Sequence, residues 1–137
     1  MSIEIKKIND EQKDRILNIS ESHFYELKAK EIQPRKLTKT ISAFSNSDGG
    51  DVYIGIGEVK GEGIVKFRTW TGFVNQEEAN GHIQIFTELF SLGNYIIYEF
   101  LEAEDEPNLI LHISVNKTND IIKASDGVPY VRKGAQN

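Results

Sequence analysis

Two carboxylates and two lysines lie close together in the stretch ESHFYELKAK, residues 21–30. Glu26 and Lys28 are two positions apart, and side chains two apart on a β-strand project from the same face. A carboxylate beside an ammonium group can help to hold a divalent metal ion and to stabilise charge on a phosphate. On a solvated strand the same pair contributes less than about 1 kcal/mol and does no chemistry. From these residues alone, both interpretations stay open.

The charge distribution provides a second signal. The chain of 137 residues has a formal charge of −5, which argues against a protein that simply coats DNA. Residues 21–40 nevertheless hold five basic residues against three acidic ones, and residues 116–137 hold four against two. Residues 88–108 carry six acidic residues and no lysine or arginine. Such segregation permits one basic face on an acidic body.

Length and composition limit the class of protein. A chain of this length is typical of one compact domain. The absence of cysteine excludes disulfides and thiolate metal sites, and the three histidines lack the spacing of a histidine metal site. The polar N-terminus is not typical of a signal peptide, and no apolar run approaches the roughly 18 residues of a membrane span. We therefore expect a cytoplasmic protein of bacterial type with no membrane association, and the abrupt end at RKGAQN suggests a piece of a longer protein.

The elements that must position the stretch 21–30 follow from periodicity. A helix is predicted over 10–19, opened by a capping-box pairing of Asn9 with Gln12. Residues 23–29 alternate as a strand, with Glu26 and Lys28 on its polar face. Pro34 is expected to begin a second helix that ends in SNSDGG. The outer face of that helix carries three cations, Arg35, Lys36 and Lys39.

The remainder of the chain predicts more strands than helices. DVYIGIG and GIVKFRTW are typical of a hairpin, and residues 75–91 predict a third helix. YIIYEFLEA and NLILHISV predict a strand pair, and VPYVRKG predicts a short final strand. Trp70 and Phe73 are expected in the core rather than as stacking platforms for bases. Without a regular βαβ repeat, the pattern favours an α+β domain with a mixed or antiparallel sheet and about three helices packed on it.

Three motifs in this order resemble a known family. ESHFYELK, AFSNSDGG followed by YIGIG, and the closing PYVRKG resemble the Schlafen AlbA-type domain, also called AlbA_2 or divergent AAA-4. The resemblance extends over roughly residues 8–134. It implies a compact α/β domain associated with DNA binding in many bacterial proteins, often ahead of a C-terminal region.

The resemblance also implies a set of carboxylates. In animal Schlafen relatives a related fold cleaves RNA through three acidic residues, and the first two match Glu21 and Glu26. Glu58 lies where the family more usually has Asp, and Asp48 and Asp51 are alternatives for the third position. The animal enzyme builds its groove from two lobes. This chain has one lobe, and a homodimer could rebuild such a groove.

We predict a domain that binds the phosphate backbone of RNA or DNA rather than reading bases. The predicted contacts are Lys28, Lys30, Arg35, Lys36, Lys39, Arg132 and Lys133. The first alternative is a Mg²⁺- or Mn²⁺-dependent endonuclease, with Glu21, Glu26 and Glu58 as metal ligands and Lys28 as the charge stabiliser. The second is a regulatory or protein-interaction module whose acidic residues 99–106 meet a partner. The binding function itself requires no cofactor.

Overall fold

A computed structural model describes residues 3–60, 66–90 and 95–135 of the protein. Its strands and helices alternate along the chain, and a 3₁₀ turn, Glu77–Ala79, leads into the third helix. The elements in order are β1 (Ile5–Ile8), α1 (Asp10–Leu17), β2 (Tyr25–Lys28), α2 (Pro34–Asn46), β3 (Gly50–Ile54), β4 (Ile56–Lys60), β5 (Lys66–Trp70), α3 (Asn80–Leu89), β6 (Ile96–Ala103) and β7 (Leu109–Val115).

Five of these strands form the central sheet, in the order β1-β6-β7-β3-β2. β1 pairs with β6 and β2 pairs with β3 in parallel, whereas β7 pairs antiparallel with both β6 and β3. β4 and β5 form a separate antiparallel hairpin. The prediction of an α+β domain with a mixed sheet and three helices is therefore confirmed.

The main core lies between one face of the sheet and the helices α2 and α3. Apolar residues of α2 recur at a spacing of three to four, so Leu37, Ile41 and Phe44 project together from one side of the helix. They pack with Phe86 of α3 and with strand residues such as Ile113, all almost fully buried. This packing fixes α2 against the sheet. Residues 40–45 are all buried, so the helix is exposed mainly in its N-terminal part, at Arg35, Lys36 and Lys39.

A smaller core lies on the other face, under α1 and the hairpin. Trp70, Ile56 and Leu27 are buried there, and Ile16 packs against them from α1. The chain passes from the sheet into the hairpin at Gly55, whose φ of 116° lies in the region that favours glycine. A Cβ at Gly55 would also approach the side chain of Ile110 to 2.8 Å.

The predicted elements differ from the structure in three places. Strand β1 was not predicted, since only Ile8 of its four residues is buried and its two lysines resemble a solvated segment. The segment VPYVRKG is not a strand; it contains isolated bridge residues at Pro129, which pairs with Lys123, and at Lys133. The DVYIGIG run is divided at Gly55 between β3 and β4, because the chain changes sheet there. The predicted turn in VKGEG falls partly on residues 61–63, outside the described residues.

Predictions that rested on short motifs agree with the structure. The capping box at Asn9 is present, with bonds of 2.9 Å in both directions to Gln12. Pro34 occupies the first turn of α2, and Gly49 after the helix has a φ of 80°. Trp70 and Phe73 are buried, as expected for core residues. Among the described residues no helix is both long enough and apolar enough to span a membrane.

Candidate functional site

Glu26 of β2 is the centre of the candidate site. Its side chain is 7% exposed, and each of its carboxylate oxygens accepts from a different cation. Oε2 lies 2.9 Å from Nη2 of Arg132, and Oε1 lies 3.1 Å from Nζ of Lys28. Burial alone would raise the pKa of Glu26, but the hydrogen bonds from Arg132 and its other neighbours outweigh it and lower the pKa. Glu26 is therefore an ionised carboxylate that two internal cations neutralise.

Glu21 is the second carboxyl group of the cluster. Burial, together with a hydrogen bond to Glu26 and the repulsion of its charge, raises the pKa of Glu21 to about 7. Lys28 and Arg68 lower this pKa by a smaller amount. Two adjacent carboxyl groups cannot both ionise at low cost, so they share one proton. Glu21 is therefore the member of the pair that stays protonated until the pH approaches about 7.

The third predicted carboxylate lies on a different element. Glu58 is exposed on β4, opposite Arg68 in the hairpin register. Asp48 lies 2.6 Å from His23, and Asp51 lies 2.8 Å from His112, so both alternatives have other partners. In the ranges that the structure describes, no three histidine or carboxylate side chains are grouped so that they could hold a metal ion.

The donor set does not suit Mg²⁺ or Mn²⁺. Such ions take several oxygen ligands that are free to coordinate. Both oxygens of Glu26 already bind cations of the protein, and Glu58 lies on the separate hairpin. The structure brings Glu21, Glu26 and Lys28 together as predicted, and Arg132 joins them at Glu26.

Arg132 reaches Glu26 because the C-terminal segment is fastened along α2. We call residues 116–135 the C-terminal strap. Three polar side chains of α2, spaced four residues apart on one side of the helix, bind its backbone. Thr38 Oγ1 accepts from the amide of Ser125 at 3.1 Å, and Ser42 Oγ donates to the carbonyl of Ile122 at 2.7 Å. Asn46 Nδ2 donates to the same carbonyl at 2.7 Å.

The end of the strap is fixed by Arg132 itself. Its amide donates to Ser47 Oγ at 2.8 Å, and its guanidinium lies over the ring of Phe44, 4.8 Å from the centroid. Nη2 also donates to the carbonyls of Ser22 at 2.8 Å and Tyr25 at 3.1 Å. The side chain is 1% exposed. Arg132, which was predicted to contact phosphate, is thus enclosed by the protein and cannot reach a ligand on the surface.

The other predicted cations divide into two groups. Lys28 and Lys30 are half-buried and ion-paired, Lys28 with Glu26 and Lys30 with Glu78 at 2.6 Å. The remaining four are exposed, namely Arg35, Lys36, Lys39 and Lys133. The three on α2 line a cleft together with Ser125 and Asp126 of the strap. Nζ of Lys39 lies 5.7 Å from the ring centroid of Tyr130.

Comparison with known proteins connects these contacts to a family. Residues 21–137 match the family model described as Schlafen, AlbA_2. The chain belongs to the Schlafen AlbA_2 family. No curated protein matches the sequence.

One solved structure shares the fold of this Schlafen AlbA_2 domain. It is the solution NMR structure of the N-terminal domain of a protein from Nitrosomonas europaea, described as related to the ATP-dependent DNA helicase RecG. The two chains are 16% identical, with a TM-score of 0.64 over 90% of this chain and 87% of the other. At this identity the likeness shows the fold alone.

The three motifs of the Schlafen AlbA_2 domain converge in space. ESHFYELK supplies Glu26, AFSNSDGG supplies Asn46 and Ser47, and PYVRKG supplies Arg132. Asn46 also donates to the carbonyl of Tyr130 at 2.9 Å. Residues of the three motifs therefore contact one another where the strap packs against α2 and the start of β2.

Sequence reasoning missed a second polar cluster on the sheet. Nδ1 of His112 lies 2.5 Å from Glu99, and Nε2 lies 2.8 Å from Asp51. The ring also stacks on Tyr53, at 4.5 Å between centroids. Burial opposes a charge on His112, but the two carboxylates raise its pKa. The lone histidine in NLILHISV was visible, whereas its partners on β3 and β6 depend on strand pairing that one sequence does not show. By contrast, the four-residue spacing of Thr38, Ser42 and Asn46 is visible in the sequence and indicates that their polar side chains share one side of α2.

Proposed function

We propose that this Schlafen AlbA_2 domain binds nucleic acid through backbone phosphates, with the outer face of α2 as the central contact. The observation that supports this function is the exposed cluster of Arg35, Lys36 and Lys39 on one helix face. The helix contains no acidic residue, although the chain as a whole is acidic. Lysine and arginine that neutralise phosphates supply essentially all of non-specific affinity for nucleic acid.

The N-terminal end of α2 adds to the positive electrostatic potential of these cations. Gln33 at the N-cap makes no side-chain capping bond, and Pro34 follows at the first position. The N-terminal end of a helix carries a partial positive charge that favours anions. Arg35 and Lys36 lie in this first turn, so dipole and side chains attract the same ligand. The family membership, and the relation of the structural neighbour to a DNA helicase, agree with a nucleic acid as that ligand.

The remaining cations have different roles in this proposal. Lys133 extends the basic surface at the exposed end of the strap. Lys28 and Lys30 contribute less, because each would have to release its carboxylate before it binds phosphate. Arg132 acts as a positioning residue that holds the strap beside α2.

The test is fluorescence anisotropy with labelled RNA and DNA oligonucleotides over a range of salt concentrations. Changing Lys36→Gln and Lys39→Gln together should weaken binding about tenfold or more at low salt. The slope of log K against log salt is negative, and it should become less steep by about 0.7 to 0.9 for each phosphate that the variant no longer neutralises. Glu26→Gln is expected to leave the slope unchanged, since Glu26 is not on this surface.

A matched control removes two lysines from another surface. Lys6→Gln with Lys7→Gln makes the same change in net charge on the edge strand β1, where both residues are exposed. At about 0.15 M salt this pair should leave affinity within about twofold, because β1 is at the opposite edge of the sheet from β2 and charges more than about 8 Å apart are then largely screened. Equal reductions of affinity in the two double variants would show that only net charge matters and would contradict a specific surface.

A second candidate function is phosphodiester cleavage, and it is favoured by the half-buried cluster of Glu21, Glu26 and Lys28, in which the pKa of Glu21 is raised. A carboxyl group with a pKa of about 7 gives and accepts protons efficiently near neutral pH, and Lys28 lies in the same cluster. Incubation of labelled RNA and DNA with Mn²⁺ or with EDTA, using Glu21→Gln as the control, tests this function. Uncut nucleic acid in both buffers would contradict it. A groove completed by a second copy belongs to the same candidate, and light scattering would detect the dimer.

A further inference from the structure

The outer surface of the strap carries exposed apolar side chains next to the basic face of α2. Val128 is 45% exposed and Val131 is 62% exposed. Phe24, in the turn before β2, is 49% exposed. We call Phe24, Val128 and Val131 the apolar rim. Exposed apolar residues that are grouped beside cations mark a binding surface more often than scattered ones do.

The valine end of the rim is connected by hydrogen bonds to the basic face of α2, which consists of Arg35, Lys36 and Lys39. The amide of Val128 donates to the carboxylate of Asp126 at 3.0 Å, and Asp126 lines the cleft with the cations of α2. Tyr130, which precedes Val131, donates its hydroxyl to Asp126 at 2.7 Å and lies beneath Nζ of Lys39. Both valines are therefore within a few residues of side chains that contact the basic face.

The second end of the rim is fixed by Arg132. Its guanidinium donates to the carbonyls of Ser22 and Tyr25, so the end of the strap lies against the turn that carries Phe24. Phe24 directly precedes Tyr25, so it lies near the end of the strap. The rim and the cations of α2 are thus carried by segments that contact one another.

This composition distinguishes between two forms of nucleic acid. A duplex presents phosphates on its outside and stacks its bases inside, so apolar side chains beside the phosphate contacts gain little from it. A single strand offers base faces that aromatic and apolar side chains can cover while cations hold the backbone. We propose that the apolar rim makes this surface selective for single-stranded nucleic acid. The inference rests on the proposed function, because it assumes that α2 binds phosphate.

The experiment compares one labelled oligonucleotide as a single strand and as a duplex with its complement. The wild-type protein should bind the single strand at least about fivefold more tightly at equal salt. Val128→Ser with Val131→Ser should weaken single-strand binding about tenfold, the effect of leaving roughly 50 Å² of apolar surface uncovered. Duplex binding should change less than twofold. Phe24→Ser, as a separate variant, should lower the ratio of single-strand affinity to duplex affinity.

A matched control uses two valine-like residues that are equally exposed elsewhere. Val59→Ser with Ile97→Ser changes side chains that are 53% and 57% exposed, on the hairpin and on β6. This pair should leave the ratio of affinities unchanged, and melting followed by Trp70 fluorescence confirms that all variants fold. Equal binding of strand and duplex by the wild type would overturn selectivity while leaving phosphate binding by α2 intact. Failure to bind either form would overturn both proposals.

Discussion

Replacing Arg132 by Met should destabilise the domain strongly. The change keeps much of the apolar stem but removes the cation that neutralises Glu26, and both side chains are almost inaccessible to water. Removing one partner of a buried ion pair typically costs about 3–5 kcal/mol, because the other charge stays buried without compensation. Lys28 still binds Oε1 at 3.1 Å, so we expect a value near the lower end, about 3 kcal/mol. Domains are typically stable by only about 5–15 kcal/mol in total.

Urea unfolding measures this destabilisation directly. Trp70 is the single tryptophan and is 6% exposed, so its fluorescence reports the native state. Lys133→Met removes the neighbouring exposed cation, and its free energy of unfolding should stay within about 0.5 kcal/mol of wild type. Glu26→Gln added to Arg132→Met should restore part of the stability, since it removes the isolated charge.

A double-mutant cycle on Glu26 and Arg132 separates the ion pair from other effects of the two changes. We expect a coupling free energy of at least about 1 kcal/mol between the two sites, because the side chains are in direct contact. A destabilisation below about 1 kcal/mol for Arg132→Met, or additive effects in the cycle, would refute the inference that this pair holds the strap on β2.

Three further predictions concern titration and capping. Because the raised pKa of Glu21 favours its protonated form in the folded state, stability should decrease as pH rises from about 4.5 to about 7; Glu21→Gln should remove that decrease in urea titrations. The raised pKa of His112 should stabilise the fold fully below pH 6.5 and progressively less as pH rises through the folded value; NMR titration should show this pKa fall in Glu99→Gln. Asn9→Ala should cost about 1 kcal/mol of unfolding free energy, measured in urea, because the capping box is removed.

How far the sequence predicted the fold depended on the range of each interaction. The capping box at Asn9 and the start of α2 at Pro34 were predicted because the residues involved are close in sequence. Strand β1 was missed because its pairing with β6 joins residues 95 positions apart, such as Ile5 and Phe100. The final segment has the valine and tyrosine content of a strand, but its backbone binds side chains of α2 instead of another strand.

In the candidate site, too, contacts between residues close in sequence were predicted and contacts between distant residues were not. Proximity of Glu21, Glu26 and Lys28 follows from one short stretch, and the structure places them together. The burial of Arg132 could not be predicted, since a basic residue near the end of a chain is usually solvated. Glu58 was assigned from a family pattern, and no spacing in the sequence indicates that it lies on a hairpin outside the sheet.

The bond from Arg132 to the carbonyl of Tyr25 also affects the behaviour of the protein in concentrated solution. β2 is the outermost strand on its side of the sheet, and its even-numbered carbonyls face β3, so the carbonyl of Tyr25 points outward. An outward carbonyl on an edge strand is a template on which another chain can add a strand and begin aggregation. The amide of Ser22 and the guanidinium of Arg132 both donate to this acceptor, so it is not open to a strand of another chain. Arg132 thus helps to keep neighbouring molecules from polymerising edge to edge.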